Sequence, residues 1–87
     1  MDIQATPDKL KVTARAPFNL YYEGLANSVT AINKVGQFDI MPGHADFFSI
    51  INSGEVLIET DKEPVSFMIK NGIITVRDND VYLFVNI

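Results

Sequence analysis

The sequence predicts an all-β fold: a small flattened β-sandwich or barrel of about eight to ten short antiparallel strands. Three observations carry this. Apolar residues recur with a period of two along most of the chain, as in Leu10, Val12 and Ala14 or Val81, Leu83 and Val85. Turn-forming Pro, Gly, Asn and Asp residues interrupt these runs at short intervals. No stretch of about ten or more residues holds the 3.6 period of an amphipathic helix. With 87 residues the chain is one domain, 1–87, and its core is small.

Each element follows from its own pattern. Leu10, Val12, Ala14 and Ala16 face one way and Lys11, Thr13 and Arg15 the other, a half-buried strand that Pro17 stops. Leu20, Tyr21 and Tyr22, ahead of Gly24, read as a short return strand. Val29 and Ala31 alternate with Ser28 and Thr30 until the turn Asn33 to Gly36, after which Phe38 and Ile40 share a face. Met41, Pro42, Gly43, His44 and Ala45 break the alternation: Pro fixes φ and Gly permits positive φ, which together specify a tight turn.

Phe47 to Ile51 resumes an apolar strand. Asn52, Ser53 and Gly54 then turn the chain into Glu55 to Thr60, with Val56 and Ile58 inward and Leu57 left outward. Asp61 to Pro64 is a hairpin tip, followed by Val65, Phe67 and Ile69. Asn71-Gly72 is the strongest hairpin dipeptide in the chain and predicts a type I′ turn leading into Ile73 to Arg77. Asp78 and Asn79 turn the chain into the last strand, whose outward face carries Tyr82 and Phe84 where polar residues are expected.

Composition excludes several functions. Seven basic against eleven acidic residues give a net charge of −4, and no cluster of Lys and Arg is present to neutralise phosphates, so nucleic acid is not an expected partner. No apolar run approaches the ~20 residues of a spanning helix, and Met1 to Lys9 is too polar for a signal peptide. Direct membrane insertion is not expected. Cysteine is absent, which removes disulfides and thiolate metal sites.

Candidate chemistry is sparse. His44 with Asp46 is too small a set for a metal, and no metal or other cofactor is expected. Ser49, His44 and Asp46 supply the residue types of a hydrolytic triad without a nucleophile elbow around any serine. Asp78 and Asp80 around Asn79 lack the twelve-residue calcium-loop pattern and read as a solvated turn. The outward apolar residues Leu57, Met68, Tyr82 and Phe84 are a candidate binding face.

The run Gly36, Gln37, Phe38, Asp39, Ile40, Met41, Pro42, Gly43, His44, Ala45 resembles the G-x-F-G-I-L-P-G-H-A signature of the epsilon subunit of rotary ATP synthases, called delta in mitochondria. The order of the remaining segments agrees, from Leu10 to Ala16 through Gly54 to Ile58 to the ending Asn71-Gly72, Thr75, Val76, Asn79, Val81 and Leu83, so the resemblance covers residues 10–87. It departs at Asp39, where the family usually has glycine, at Asn52 and Ser53, where a proline step is usual, and at Asn71, the first of two glycines.

The resemblance implies an N-terminal β-sandwich and a non-catalytic role as a central-stalk rotor subunit. Its implied partners are the gamma subunit and the polar loops of the c-subunit ring, and its role is to couple rotation to ATP synthesis. It implies a location on the cytoplasmic side of the bacterial inner membrane, or the matrix or stromal side in an organelle. By position, Gln37 falls where the family often has an acidic residue near the c ring, and His44 and Ser49 fall in the segment that faces gamma. Gly36, Pro42 and Gly43 are the turn formers of the signature. The family's two-helix hairpin, which carries its inhibitory switch, would follow Ile87, so a sandwich without that hairpin is expected. The alternative from residues alone is an autonomous sandwich that binds a peptide or small ligand in a concave pocket walled by Tyr21, Tyr22, Tyr82 and Phe84.

Overall fold

The computed structural model describes residues 3–87; Met1 and Asp2, which begin the polar lead, lie outside the described residues. Nine strands follow in order: β1 Leu10–Arg15, β2 Leu20–Ala26, β3 Ser28–Asn33, β4 Gly36–Ile40, β5 Phe47–Ile51, β6 Gly54–Glu59, β7 Val65–Ile69, β8 Asn71–Arg77 and β9 Asp80–Asn86. They build two sheets, one of five strands in the order β2-β1-β9-β8-β5 and one of four in the order β4-β3-β6-β7.

The alternation read in the sequence sets which side chains meet between the sheets. Leu10, Val12 and Ala14 of β1, Val81, Leu83 and Val85 of β9 and Ile74 and Val76 of β8 join Val29, Ala31, Ile40, Val56, Ile58 and Ile69 of the other sheet in one buried cluster. Among the described residues no polar or charged residue is buried, so the core is held by apolar burial at about 25 cal/mol per Å². Aromatic pairs close the two lateral edges. Tyr21, the extra residue of a bulge opposite Ala14 and Arg15, stacks on Phe67 with centroids 4.9 Å apart. On the other edge Phe38 meets Phe47 at 5.5 Å.

Three expectations need correction. β2 does not stop ahead of Gly24 but runs on to Ala26; Gly24 faces inward, and a Cβ there would lie 2.9 Å from the Tyr22 hydroxyl, so glycine makes room for that ring. The sheets are not wholly antiparallel, because β1 pairs with β9 in parallel from Lys11↔Asp80 to Arg15↔Phe84. That pair is joined by the whole intervening chain, which supplies the long crossover that a parallel pairing needs.

Asn71-Gly72 is the third correction. Neither residue takes positive φ; both lie inside β8, with Asn71 opposite Asn86 and Gly72 opposite Val85. β7 and β8 belong to different sheets, so Lys70 is a crossing point and no hairpin forms there. The type I′ geometry sits at Asp78 (φ 50°) and Asn79 (φ 64°), between the paired residues Arg77 and Asp80.

The turns gather at two ends. One end holds Met41 to Asp46, Thr60 to Pro64 and Asp78-Asn79. There the Lys9 ammonium donates to Asp61 Oδ1 at 2.7 Å and to the Asn27 side-chain oxygen, and Asn27 Nδ2 donates to the same Asp61 oxygen at 2.9 Å. The opposite end holds Ala16 to Asn19, Lys34-Val35, Asn52-Ser53 and Lys70. It is tied by the Asn52 N–H donating to Ile32 O at 2.8 Å and the Lys70 N–H to Asn86 O at 2.7 Å.

Candidate interaction site

The segment between β4 and β5 carries the chain from the four-stranded to the five-stranded sheet. Its sequence dictates its shape. Pro42 and Gly43 fill the two central positions of a type II turn, with Gly43 at φ +87° and the His44 N–H donating to Met41 O at 3.1 Å. The Gly43 N–H points away from this turn and donates to Asn79 Oδ1 at 2.8 Å. Asn79 Nδ2 donates in turn to Thr6 O at 2.8 Å, and its carbonyl accepts from the Lys11 N–H at 2.9 Å. One asparagine thus binds the turn, the chain ahead of β1 and the β8–β9 corner together.

His44 is half-buried beside this clamp. Its Nδ1 lies 2.7 Å from Ala45 O; a carbonyl only accepts, so Nδ1 is the donor. The ring meets Phe47 edge-on at 5.4 Å, which continues the aromatic contact with Phe38. Ser49 faces into the sandwich: its Oγ accepts from Asn33 Nδ2 at 3.2 Å and donates to Ile50 O at 3.0 Å. Gln37 is exposed on β4 opposite Ile32, at the other end of the molecule from His44. Gly36, at φ +134°, closes the β3–β4 turn opposite Asn33.

The fold therefore separates the sequence-read positions. Gln37, His44 and Ser49 do not form one cluster, and the hydrogen bonds of His44 and Ser49 run to other groups than each other. The four candidate outward residues also part company: Leu57 and Met68 lie on the outer face of the four-stranded sheet, Tyr82 and Phe84 on that of the five-stranded sheet. Tyr21, Tyr22, Tyr82 and Phe84 wall no common pocket, since Tyr21 stacks on Phe67, the Tyr22 hydroxyl donates to Leu25 O, and the other two point away from the core. Burial raises the Tyr22 phenol above its ordinary pKa. Asp39, the departure from glycine in the signature, accepts from the Thr30 hydroxyl across the β3–β4 pair at 2.6 Å.

A larger apolar surface emerges in exchange. On the outer face of the five-stranded sheet, register places Ile50 opposite Ile73 and Ile73 opposite Phe84, with Phe48 and Tyr82 flanking Thr75 in the next row. Phe48 and Ile50 are 63% and 65% exposed, so the row forms a contiguous outward apolar patch. Phe48, Ile50 and Ile73 were not singled out in the sequence. The signal was present in Phe47-Phe48-Ser49-Ile50-Ile51, which carries apolar residues on both faces.

Comparison with known proteins agrees with this geometry. Residues 9–87 match the family model of the ATP synthase delta/epsilon chain β-sandwich domain. The chain belongs to the ATP synthase delta/epsilon family. It is 32% identical over 78 residues to the ATP synthase epsilon chain of Trichlorobacter lovleyi, covering 90% of this chain and 56% of that protein. The epsilon chain of Chlorobium limicola is 36% identical over 81 residues, covering 91% of this chain and 92% of that relative. The chain thus spans little more than half of most of the epsilon chains it matches and nearly all of the Chlorobium one.

Among solved structures, a chain of the Euglena gracilis mitochondrial ATP synthase (OSCP/F1/c-ring) superimposes with TM-score 0.82 at 15% identity, over 98% of this chain and 54% of that one. One from the Tetrahymena thermophila mitochondrial ATP synthase central stalk and c ring gives 0.81 at 20% identity, over 95% and 67%. At those identities the likeness shows that the fold is shared.

Proposed function

We propose that this epsilon-family sandwich is a non-catalytic rotor element of a proton-translocating ATP synthase, joining the gamma subunit to the c ring so that rotation is coupled to ATP synthesis. The observation that carries the reading is the outer face of the five-stranded sheet. The segment that the family resemblance turns toward gamma holds His44 and Ser49, and the neighbours of Ser49, Phe48 and Ile50, point outward, Ile50 in one row with Ile73 and Phe84 and Phe48 in the next. Gamma is the occupant of that face. His44 lies at its margin, whereas Ser49 acts from inside by holding Asn33 and the turn that carries Gln37. Gln37 is then directed to the polar loops of the ring.

A rigid body suits this task, because a close-packed two-sheet core passes torque without deforming. The subunit acts as a peripheral part of the complex, on the side of the membrane where the catalytic head lies. Among the described residues no helix is long and apolar enough to cross a membrane. The sequence has no cysteine, so a single introduced cysteine is the one thiol in it. In the assembled synthase, Ile50→Cys is expected to cross-link to gamma and Gln37→Cys to a c subunit. Cross-linking of neither position to either partner would refute the reading.

A further inference from the structure

Asn71 is the only asparagine in the chain that is followed by glycine. Asparagine is a chemically labile residue, and a following glycine makes it most so, because no side chain then shields the next backbone nitrogen from the asparagine amide. Asn71 is also one of the positions at which the chain departs from the family signature.

The fold places this pair where the reaction is blocked. Ring closure between the Gly72 nitrogen and the Asn71 side-chain carbon takes the ψ of Asn71 to the negative side, whereas an antiparallel strand holds ψ at about +135°. Both residues lie in the inner strand β8 without positive φ, Asn71 paired with Asn86 and Gly72 held from both sides, by Val85 of β9 and Ile51 of β5. The Lys70 N–H, donating to Asn86 O at 2.7 Å, pins the start of the strand. Space is short as well: even a Cβ at Gly72 would stand 2.7 Å from Phe84 O. Asn71 itself is exposed, so solvent reaches it and only the backbone geometry is withheld.

We propose that Asn71-Gly72 is a latent deamidation site that the strand keeps shut and that opening of β8 releases. In the opened segment the Gly72 nitrogen attacks the Asn71 side-chain carbonyl carbon. The new C–N bond closes a succinimide as the C–N bond of the amide breaks, and the proton lost by Gly72 passes through solvent to the leaving nitrogen, which departs as ammonia. One water then opens the ring at either carbonyl, leaving an aspartyl or an isoaspartyl residue whose carboxyl proton is taken up by the ammonia. Water is the only co-reactant.

The isoaspartyl product routes the main chain through the side-chain carbon and lengthens it by one atom between residues 71 and 72. Gly72 has no room for that atom among Phe84, Val85 and Ile51, so the modified strand does not return to its register. A transient opening of β8 thus becomes a permanent one.

The test follows the chemical form of residue 71 by peptide mapping with mass spectrometry at mildly alkaline pH. The 87-residue chain is incubated in native buffer and in guanidinium chloride above its unfolding midpoint, beside a peptide spanning Met68 to Thr75 in each buffer. Loss of the amide in the denatured chain is expected to match the peptide. In the native chain it is expected to be slower by about a hundredfold or more, because a paired inner strand opens rarely. Below the midpoint the rate is expected to rise with guanidinium in step with hydrogen exchange of the β8 amides. Native loss at the peptide's rate would overturn the proposal.

A second arm dilutes the denatured, partly deamidated chain back into native buffer. Isoaspartyl chains are expected in the unfolded fraction, whereas Asn71→Asp, which adds the charge without the extra backbone atom, is expected to fold as wild type does. Isoaspartyl chains recovered in the folded fraction in their original proportion would refute the one-way step. Failure of Asn71→Asp to fold would shift the effect from the lengthened backbone to the carboxylate, and would equally refute it.

Discussion

Asn79 Oδ1 accepts the backbone N–H of Gly43 at 2.8 Å, joining two turns that lie 36 residues apart in the chain. Because the other side-chain atom of Asn79 holds Thr6 O, this one residue sets where the β4–β5 crossing lies against the rest of the sandwich. Its positive φ of 64° is part of the arrangement, since only in that conformation does the type I′ corner close.

Replacing Asn79 by Ala removes both side-chain bonds and strains the backbone, and is expected to cost about 2–3 kcal/mol from one lost hydrogen-bond network and one left-handed residue. Asn79→Gly keeps the conformation and loses only the bonds, so it is expected to recover roughly 1 kcal/mol of that loss. Urea unfolding of the two variants checks the order. Equal stability of both would show that the bonds, and not the backbone, carry the whole effect.

Gly72 and Asn71 separate the observed crossing from the hairpin that the dipeptide predicts. A Cβ at Gly72 would stand 2.7 Å from Phe84 O and 3.2 Å from Val85 Cα, both backbone atoms with little freedom to yield. Gly72→Ala is expected to destabilise by about 2–3 kcal/mol through overpacking. Asn71→Ala, at an exposed strand position, is expected to stay within about 0.5 kcal/mol. A large loss at Asn71 would instead indicate a left-handed turn residue there.

Asp61 governs a pH dependence at the acidic end. Its carboxyl lies below the ordinary carboxylate pKa because it accepts from Lys9 first and then from Asn27, and because the Lys9 charge is near. A carboxyl depressed by folding stabilises the fold above its unfolded pKa and loses that contribution as pH falls through the folded value. The difference in stability between wild type and Asp61→Asn is therefore expected to be present at neutral pH and to vanish on acidification. Acid titration of the Asp61 carboxyl by NMR, showing a midpoint at or above that of a free Asp, would contradict this.

Much of this fold is legible in the residues themselves. Strict alternation at Leu10 to Ala14 and at Val81 to Val85 identifies inward faces, and Pro42-Gly43 identifies its turn, because those signals depend on neighbours a few residues away. What fails is whatever depends on distant partners. Asn71-Gly72 satisfies the local preferences of a hairpin, yet the pairing of Gly72 with Val85 and Ile51 decides its place. The parallel pairing of β1 with β9 leaves no local trace in either strand.

The site follows the same division. Tyr82 and Phe84 are recognisable as outward apolar residues, but their continuity with Ile73 and Ile50 exists only once β8 lies between β9 and β5. Ser49 falls in the recognised segment, yet strand parity turns it inward to Asn33 and turns its neighbours Phe48 and Ile50 out. Asn79 reads as one more turn residue until Gly43 and Thr6 come within reach.

The most direct measurement is a calorimetric titration of gamma from the same source with wild type and with Ile50→Ser/Phe84→Ser, both exposed positions whose change leaves the core intact. The expected result is tight binding with a negative heat-capacity change for wild type and a loss of about a hundredfold or more for the variant, at nearly unchanged folding stability. Equal affinity of the two folded chains would contradict the assignment of this face to gamma.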